Sequence, residues 1–110
     1  MPSSQANGTQ TCTVTTEHTL TTITTAGTYV LALDLNEMAA GDVVEVRAYL
    51  KVLTGSTEAV LYYDVWADVQ PDDDVVKFLV PIPTVYSCKF TLKQTAGTSI
   101  DVEWEAIDIA

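Results

Sequence analysis

Positive charge is what this sequence has least of. Five Lys and Arg stand against fifteen Asp and Glu, which leaves a formal net charge of −10 and a pI near 4.1. A surface of that sign repels nucleic-acid phosphates and anionic lipid, so neither nucleic acid nor membrane is expected as a partner. No apolar run approaches the roughly 20 residues that cross a bilayer. The N-terminus, Met-Pro-Ser-Ser-Gln-Ala-Asn-Gly, carries neither the basic start nor the apolar stretch of a secretory signal, and the expectation is a cytoplasmic chain. Cysteine is nearly absent too: Cys12 and Cys88 stand far apart with no CxxC spacing and cannot form a zinc site alone. Without a secretion signal, two free, buried, inert thiols are expected, the alternative being a disulfide from the first strand to a late one.

Catalytic signatures are equally thin. The single histidine, His18, sits beside Glu17 in a threonine-rich stretch, but neighbouring residues of a strand point to opposite faces. No Gly-x-Ser-x-Gly elbow, phosphate-cradling glycine loop or dinucleotide fingerprint occurs. Asp72-Asp73-Asp74, with Asp68 before it, lacks the alternating oxygens and the glycine of a calcium loop and reads as a solvated acidic turn. Asp101, Glu103 and Glu105 share one face of the last strand, neighbours roughly 7 Å apart, yet nothing in the sequence marks a glycosidase cleft around them. The expectation is a chain that is not an enzyme and needs no metal or cofactor.

What is there is β pattern. Hydrophobic residues make up 47% of 110 residues, enough for one core and one domain. Residues 1–8 are small and polar and read as a flexible arm, leaving residues 9–110 as the folded domain. Threonine dominates residues 9–28, and such β-branched side chains favour extended chain. Leu20 and Ile23 fall out of step there, which predicts a bulge near Thr21 and Thr22. Tyr29, Leu31, Leu33 and Leu35 share a face, and a helical turn is conceivable only at residues 36–42. In residues 43–53, Val44, Val46, Ala48, Leu50 and Val52 point one way and Glu45, Arg47, Tyr49 and Lys51 the other.

Thr54-Gly55-Ser56-Thr57 turns this strand into a second one, predicted to face inward with Ala59, Leu61, Tyr63, Val65, Ala67 and Val69. Residues 75–80 form a nearly continuous apolar strand that Pro81-Ile82-Pro83 closes. Tyr86, Cys88, Phe90 and Leu92 line the next strand, and Ile100, Val102, Trp104 and Ala106 the last. Thr-Ala-Gly-Thr occurs at 25–28 and again at 95–98, read as two similar hairpin turns. About seven or eight such strands predict an all-β, two-sheet antiparallel sandwich of jelly-roll or Greek-key type.

The aromatics sort by face. Trp104 falls on the apolar side of its strand and is assigned to the core. Trp66 falls among Tyr62, Asp64 and Asp68 on the side predicted to be polar, and an indole there marks either a second packed layer under the chain's own loops or a contact site. Tyr49, Tyr62 and Trp66 are therefore the candidate partner interface, either for protein or, in the rival reading, as the stacking platform of a carbohydrate-binding or adhesin-like module.

A short acidic sandwich with a polar Met-Pro-Ser-Ser-Gln-Ala-Asn-Gly start, a threonine-rich first strand and a last strand (residues 99–109) running to the chain end resembles a known family. It is similar to the small jelly-roll decoration (cement) proteins of tailed-bacteriophage heads, of the kind carried by short-tailed phages such as epsilon15. The resemblance implies a virion structural protein on the outer capsid surface, present in host cytoplasm during assembly. It would bind the major capsid protein, bridge its subunits and stabilise the shell as a dimer or trimer. The family offers no motif from which site residues carry over. The acidic charge agrees with a place outside the shell, away from packaged DNA.

Overall fold

The computed structural model describes residues 2–71 and 74–109. Nine strands are present: β1 (Ser3–Thr11), β2 (Glu17–Ile23), β3 (Gly27–Asp34), β4 (Val43–Lys51), β5 (Ala59–Ala67), β6 (Val76–Phe78), β7 (Ile82–Thr84), β8 (Ser87–Ala96) and β9 (Asp101–Asp108). They form two antiparallel sheets. Sheet I has the order β1-β9-β3-β6, with β7 also on β3; sheet II has the order β2-β8-β4-β5. The chain passes between sheets at almost every connection, and only β4–β5 and β6–β7 stay within one. The first strand pairs with the last. That winding is a jelly roll, one of the two sandwich types the sequence left open.

The core lies between the sheets. Tyr29, Leu31, Leu33, Ile82, Val102 and Ala106 descend from sheet I onto Ile23, Val44, Val46, Ala48, Phe90 and Leu92 of sheet II. Buried polar atoms are satisfied among the described residues. Tyr29 donates its phenolic hydrogen to the Thr25 carbonyl at 2.7 Å. Gln94, fully buried, ties the β8–β9 crossover by donating to the Ala96 and Thr98 carbonyls at 3.0 and 2.8 Å, while its Oε1 accepts from the Ile100 amide at 3.2 Å.

Several expectations need correction. Residues 3–8 are not a free arm: they belong to β1, in register with β9 from Ser3 opposite Asp108 to Thr11 opposite Asp101. Backbone pairing needs no apolar side chains, so a polar edge strand forms wherever a neighbour offers its ladder. Gly8 faces Trp104, where an added Cβ would lie 3.5 Å from the indole ring. The two Thr-Ala-Gly-Thr stretches are not hairpins either. Each lies where the chain crosses from sheet II to sheet I, between β2 and β3 and between β8 and β9. No helical turn forms at residues 36–42, which hold turns closed by Met38 donating to Leu35 and Asp42 to Ala39. Pro83 does not end the strand region, because β7 is an edge segment and Pro83 opposes Thr28 there without owing the ladder a hydrogen. Tyr86 and Val52 leave the core faces at strand ends and are exposed. The bulge in β2 falls at Leu20, between Thr19 and Thr21.

The largest correction concerns β5. Its register sets Trp66 opposite Val44, Asp64 opposite Val46 and Tyr62 opposite Ala48. Cross-strand partners share a face, and Val44, Val46 and Ala48 are wholly buried. Tyr62 and Trp66 thus pack against the core, and Leu61, Tyr63 and Val65 turn outward. Both faces of β5 carry large apolar residues, so alternation alone does not choose between them. The pairing with β4 turns the Tyr62 and Trp66 rings onto the core.

Candidate functional site

The outer face of sheet II gathers most of what chemistry the chain offers. Alternation along β4 sends Glu45, Arg47, Tyr49 and Lys51 outward. The β4–β8 register sets Lys93 opposite Glu45, Thr91 opposite Arg47 and Lys89 opposite Tyr49, and β2 adds Glu17 opposite Lys93. Four of the five basic residues (Arg47, Lys51, Lys89 and Lys93) therefore share one face of a chain whose net charge is −10.

Most of these charges are held by neighbours. The Tyr49 hydroxyl and the Thr91 hydroxyl both donate to Glu17 Oε2, each at 2.6 Å. Those two bonds hold the Glu17 carboxyl below its usual range, Thr91 contributing most. The bond to Glu17, followed by burial, raises the Tyr49 phenol. Lys89 Nζ lies 4.5 Å from the centre of the Tyr49 ring and 3.3 Å from Glu58. Arg47 is 2.9 Å from Glu45 and sits 4.8 Å from the Tyr63 ring centre. Lys51 and Lys93 are different: their side chains form no ion pair or hydrogen bond with the described residues.

At the Lys51 end this face deepens into an open cleft of about 470 Å³ between β2, the ends of β4 and β8 and the β4–β5 turn. Its lining is Thr22, Thr24, Lys51, Thr54, Glu58, Tyr86 and Ser87. Beside it runs the free edge of β5, where Val60, Leu61 and Tyr63 are about half exposed (52%, 50% and 48%).

The predicted interface of Tyr49, Tyr62 and Trp66 is not assembled. Tyr49 lies on the outer face, bonded to Glu17; Tyr62 and Trp66 lie on the opposite face, and the Tyr62 hydroxyl donates to Asp64 at 3.2 Å. Lys51, Lys89, Lys93 and Tyr86 were not singled out from sequence. The signal was present in the outward positions of β4 and the matching period of Lys89 and Lys93, but only the β4–β8 pairing places the two rows side by side.

The other chemical candidates stay apart. His18 Nε2 accepts from the Thr13 amide at 3.0 Å. Asp68 takes a positive φ of 64° and accepts from the Gly41 amide at 2.8 Å. Asp74 pairs with Lys77 at 2.9 Å, while Asp72 and Asp73 lie outside the described residues. Glu103 and Glu105 border a shallow hollow of about 190 Å³ with Asp34 and Trp104, while Asp101 accepts from Thr11 at 2.7 Å. Among the described residues no group of three or more His, Cys, Asp or Glu is placed to hold a metal ion. Cys12 and Cys88 are free and buried; burial, helped by Asp101, pushes the Cys12 thiol up to about 11, and burial raises Cys88 as well. Searches of protein-family models, curated proteins and solved structures find no match to this chain.

Proposed function

We propose that the protein is a non-enzymatic structural module that decorates the outer surface of a tailed-phage head. There it binds the major capsid protein, bridges neighbouring subunits as a dimer or trimer, and stabilises the shell. The observation that carries this reading is the β5 edge. Its nine residues (Ala59–Ala67) contain one charge, Asp64, and neither lysine nor proline. Those are the residues that natural edge strands use to refuse a partner strand. Asp64 covers only the adjacent Val65 amide, at 2.8 Å. An apolar row runs along the edge through Leu61, Tyr63 and Val65 and continues onto Val52 and Leu53 at the hairpin end, all exposed. Such an edge suits strand addition, in which backbone bonds supply affinity and alternate side chains supply selectivity. The resemblance to phage decoration proteins in size, acidity and strand pattern supports the capsid lattice as the partner.

The test is co-sedimentation of the chain with undecorated shells of its source phage. Full-length protein should bind saturably, and occupied shells should withstand heat better than bare ones. Leu61→Lys, at a half-exposed position, should leave the melting temperature within a few degrees and weaken shell binding at least about tenfold, which corresponds to roughly 1.4 kcal/mol. Failure of the full-length chain to sediment with shells would end this reading.

A further inference from the structure

From the cleft at the Lys51 end of sheet II we infer a second binding site, one that takes an acidic, polyhydroxylated ligand: a carboxylated sugar. Three observations lead there. The first is shape. A concavity of about 470 Å³ lies within the range of pockets that accept small ligands.

The second is an uncommitted cation. Arg47, Lys77 and Lys89 each have a carboxylate within 3.3 Å. Lys51 has none among the described residues, and it lines the cleft. In a chain of net charge −10, carboxylates are in threefold excess over basic residues, and this ammonium still stands unpaired. A ligand carboxylate would complete it with a charge-assisted hydrogen bond.

The third is a set of idle hydroxyls. Thr22, Thr24 and Thr54 turn into the cleft and form no side-chain hydrogen bond with the described residues, and neither does the Tyr86 phenol. Hydroxyl groups that donate and accept match the hydroxyls of a sugar ring. Glu58, its charge balanced by Lys89, supplies an acceptor for a sugar hydroxyl. The exposed Tyr86 ring offers an apolar face to the ring's C–H side.

Competing ligands fit less well. A dianionic phosphate would set two charges against the one ammonium of Lys51 and beside the Glu58 carboxylate, in a chain of net charge −10. A long polyanion meets the net charge of the whole chain. An acidic peptide would anchor on apolar side chains, which lie along the β5 edge and not in this cleft.

The titration uses the free chain and no shell, so this reading and that of shell binding fail separately. The experiment is an amide NMR titration of the full chain with digalacturonate, with maltose as a neutral disaccharide and with triglutamate as an acidic peptide. Digalacturonate should shift the amides of Thr22, Lys51 and Ser87 saturably, and added salt should weaken it. Lys51→Gln should lower its affinity about tenfold or more with the rest of the spectrum unchanged. Lys93→Gln, which removes the other unpaired ammonium of the same face, should leave affinity within about twofold. Tyr86→Ala, at an exposed position, should weaken binding without unfolding the chain. Absence of saturable shifts would overturn the site, as would equal losses in the two lysine variants. Maltose binding as well as digalacturonate would overturn the acidic ligand, and triglutamate binding more tightly would assign the cleft to a protein partner instead.

Discussion

Replacing three glycines by alanine separates backbone strain from steric conflict at the crossover that links the sheets. Gly97 follows β8 with φ of +96°, and a Cβ there would lie 1.9 Å from Asp42 Oδ1 and 2.8 Å from Asp42 Cα. Asp42 is buried, and its two oxygens accept from Thr98 at 3.1 Å and from Ala39 at 2.9 Å. Gly41 has nearly the same φ, +90°, with nothing within 4 Å of its added Cβ; Gly55 has open space and no positive φ. Gly41→Ala therefore meets strain alone, about 1–2 kcal/mol. Gly97→Ala meets that strain and must also displace Asp42. Hydrogen bonds to a charged acceptor are worth about 1.5–3 kcal/mol, so losing one or more brings the total to about 3–5 kcal/mol. Gly55→Ala should stay within about 0.5 kcal/mol of the parent. For a domain of this size each kcal/mol moves the melting temperature by about 4–8 °C, so Gly97→Ala should melt roughly 12–40 °C lower. Urea denaturation of the three variants beside the parent measures the series. A Gly97→Ala loss no larger than that of Gly41→Ala would refute the contact with Asp42.

Trp66→Ala should destabilise the fold by about 2–4 kcal/mol, since the ring packs on the core, whereas Tyr63→Ala should cost only about 0.5–1 kcal/mol in its lost contact with Arg47. Chemical denaturation of both checks this, and equal losses would put β5 back in the opposite register. A thiol-reactive chromophore should find no accessible cysteine in the native protein at neutral pH and two after unfolding. Cys12 has its pKa raised to about 11 from 9.0, and Cys88 and Tyr29 are also raised. The folded state then holds protons that the unfolded state gives up, so stability should be complete below about pH 9 and fall as pH rises toward 11. Flat stability across that window, measured by denaturation at stepped pH, would contradict the burial of these groups.

The inward rows of β3, β4, β8 and β9 were legible because the larger apolar residues of each fall mostly on one side. Leu31, Val46, Phe90 and Val102 admit a single orientation, and all four are wholly buried. In β5 both sides are apolar, and the choice is made by the β4 register, a long-range fact that one strand's sequence does not contain. The same limit hid β1: Ser-Ser-Gln-Ala-Asn-Gly has no amphipathic period, and its order comes from the β9 backbone. The cationic face was hidden one level higher. Its cations lie on β4 and β8, nearly forty residues apart in sequence, and only their pairing gathers them.

Charge segregation follows from that pairing and bears on the proposed shell contact. With four of the five basic residues on the outer face of sheet II, the outer face of sheet I is left to Asp34, Glu103 and Glu105. The molecule is a slab, acidic on one broad face and locally basic on the other, with a largely uncharged edge at β5. If β5 meets the shell, the sheet I face stays in solvent, and the acidic faces of neighbouring copies repel instead of stacking. Repulsion of that kind disfavours face-to-face aggregation through sheet I and leaves dimer or trimer contacts to other surfaces.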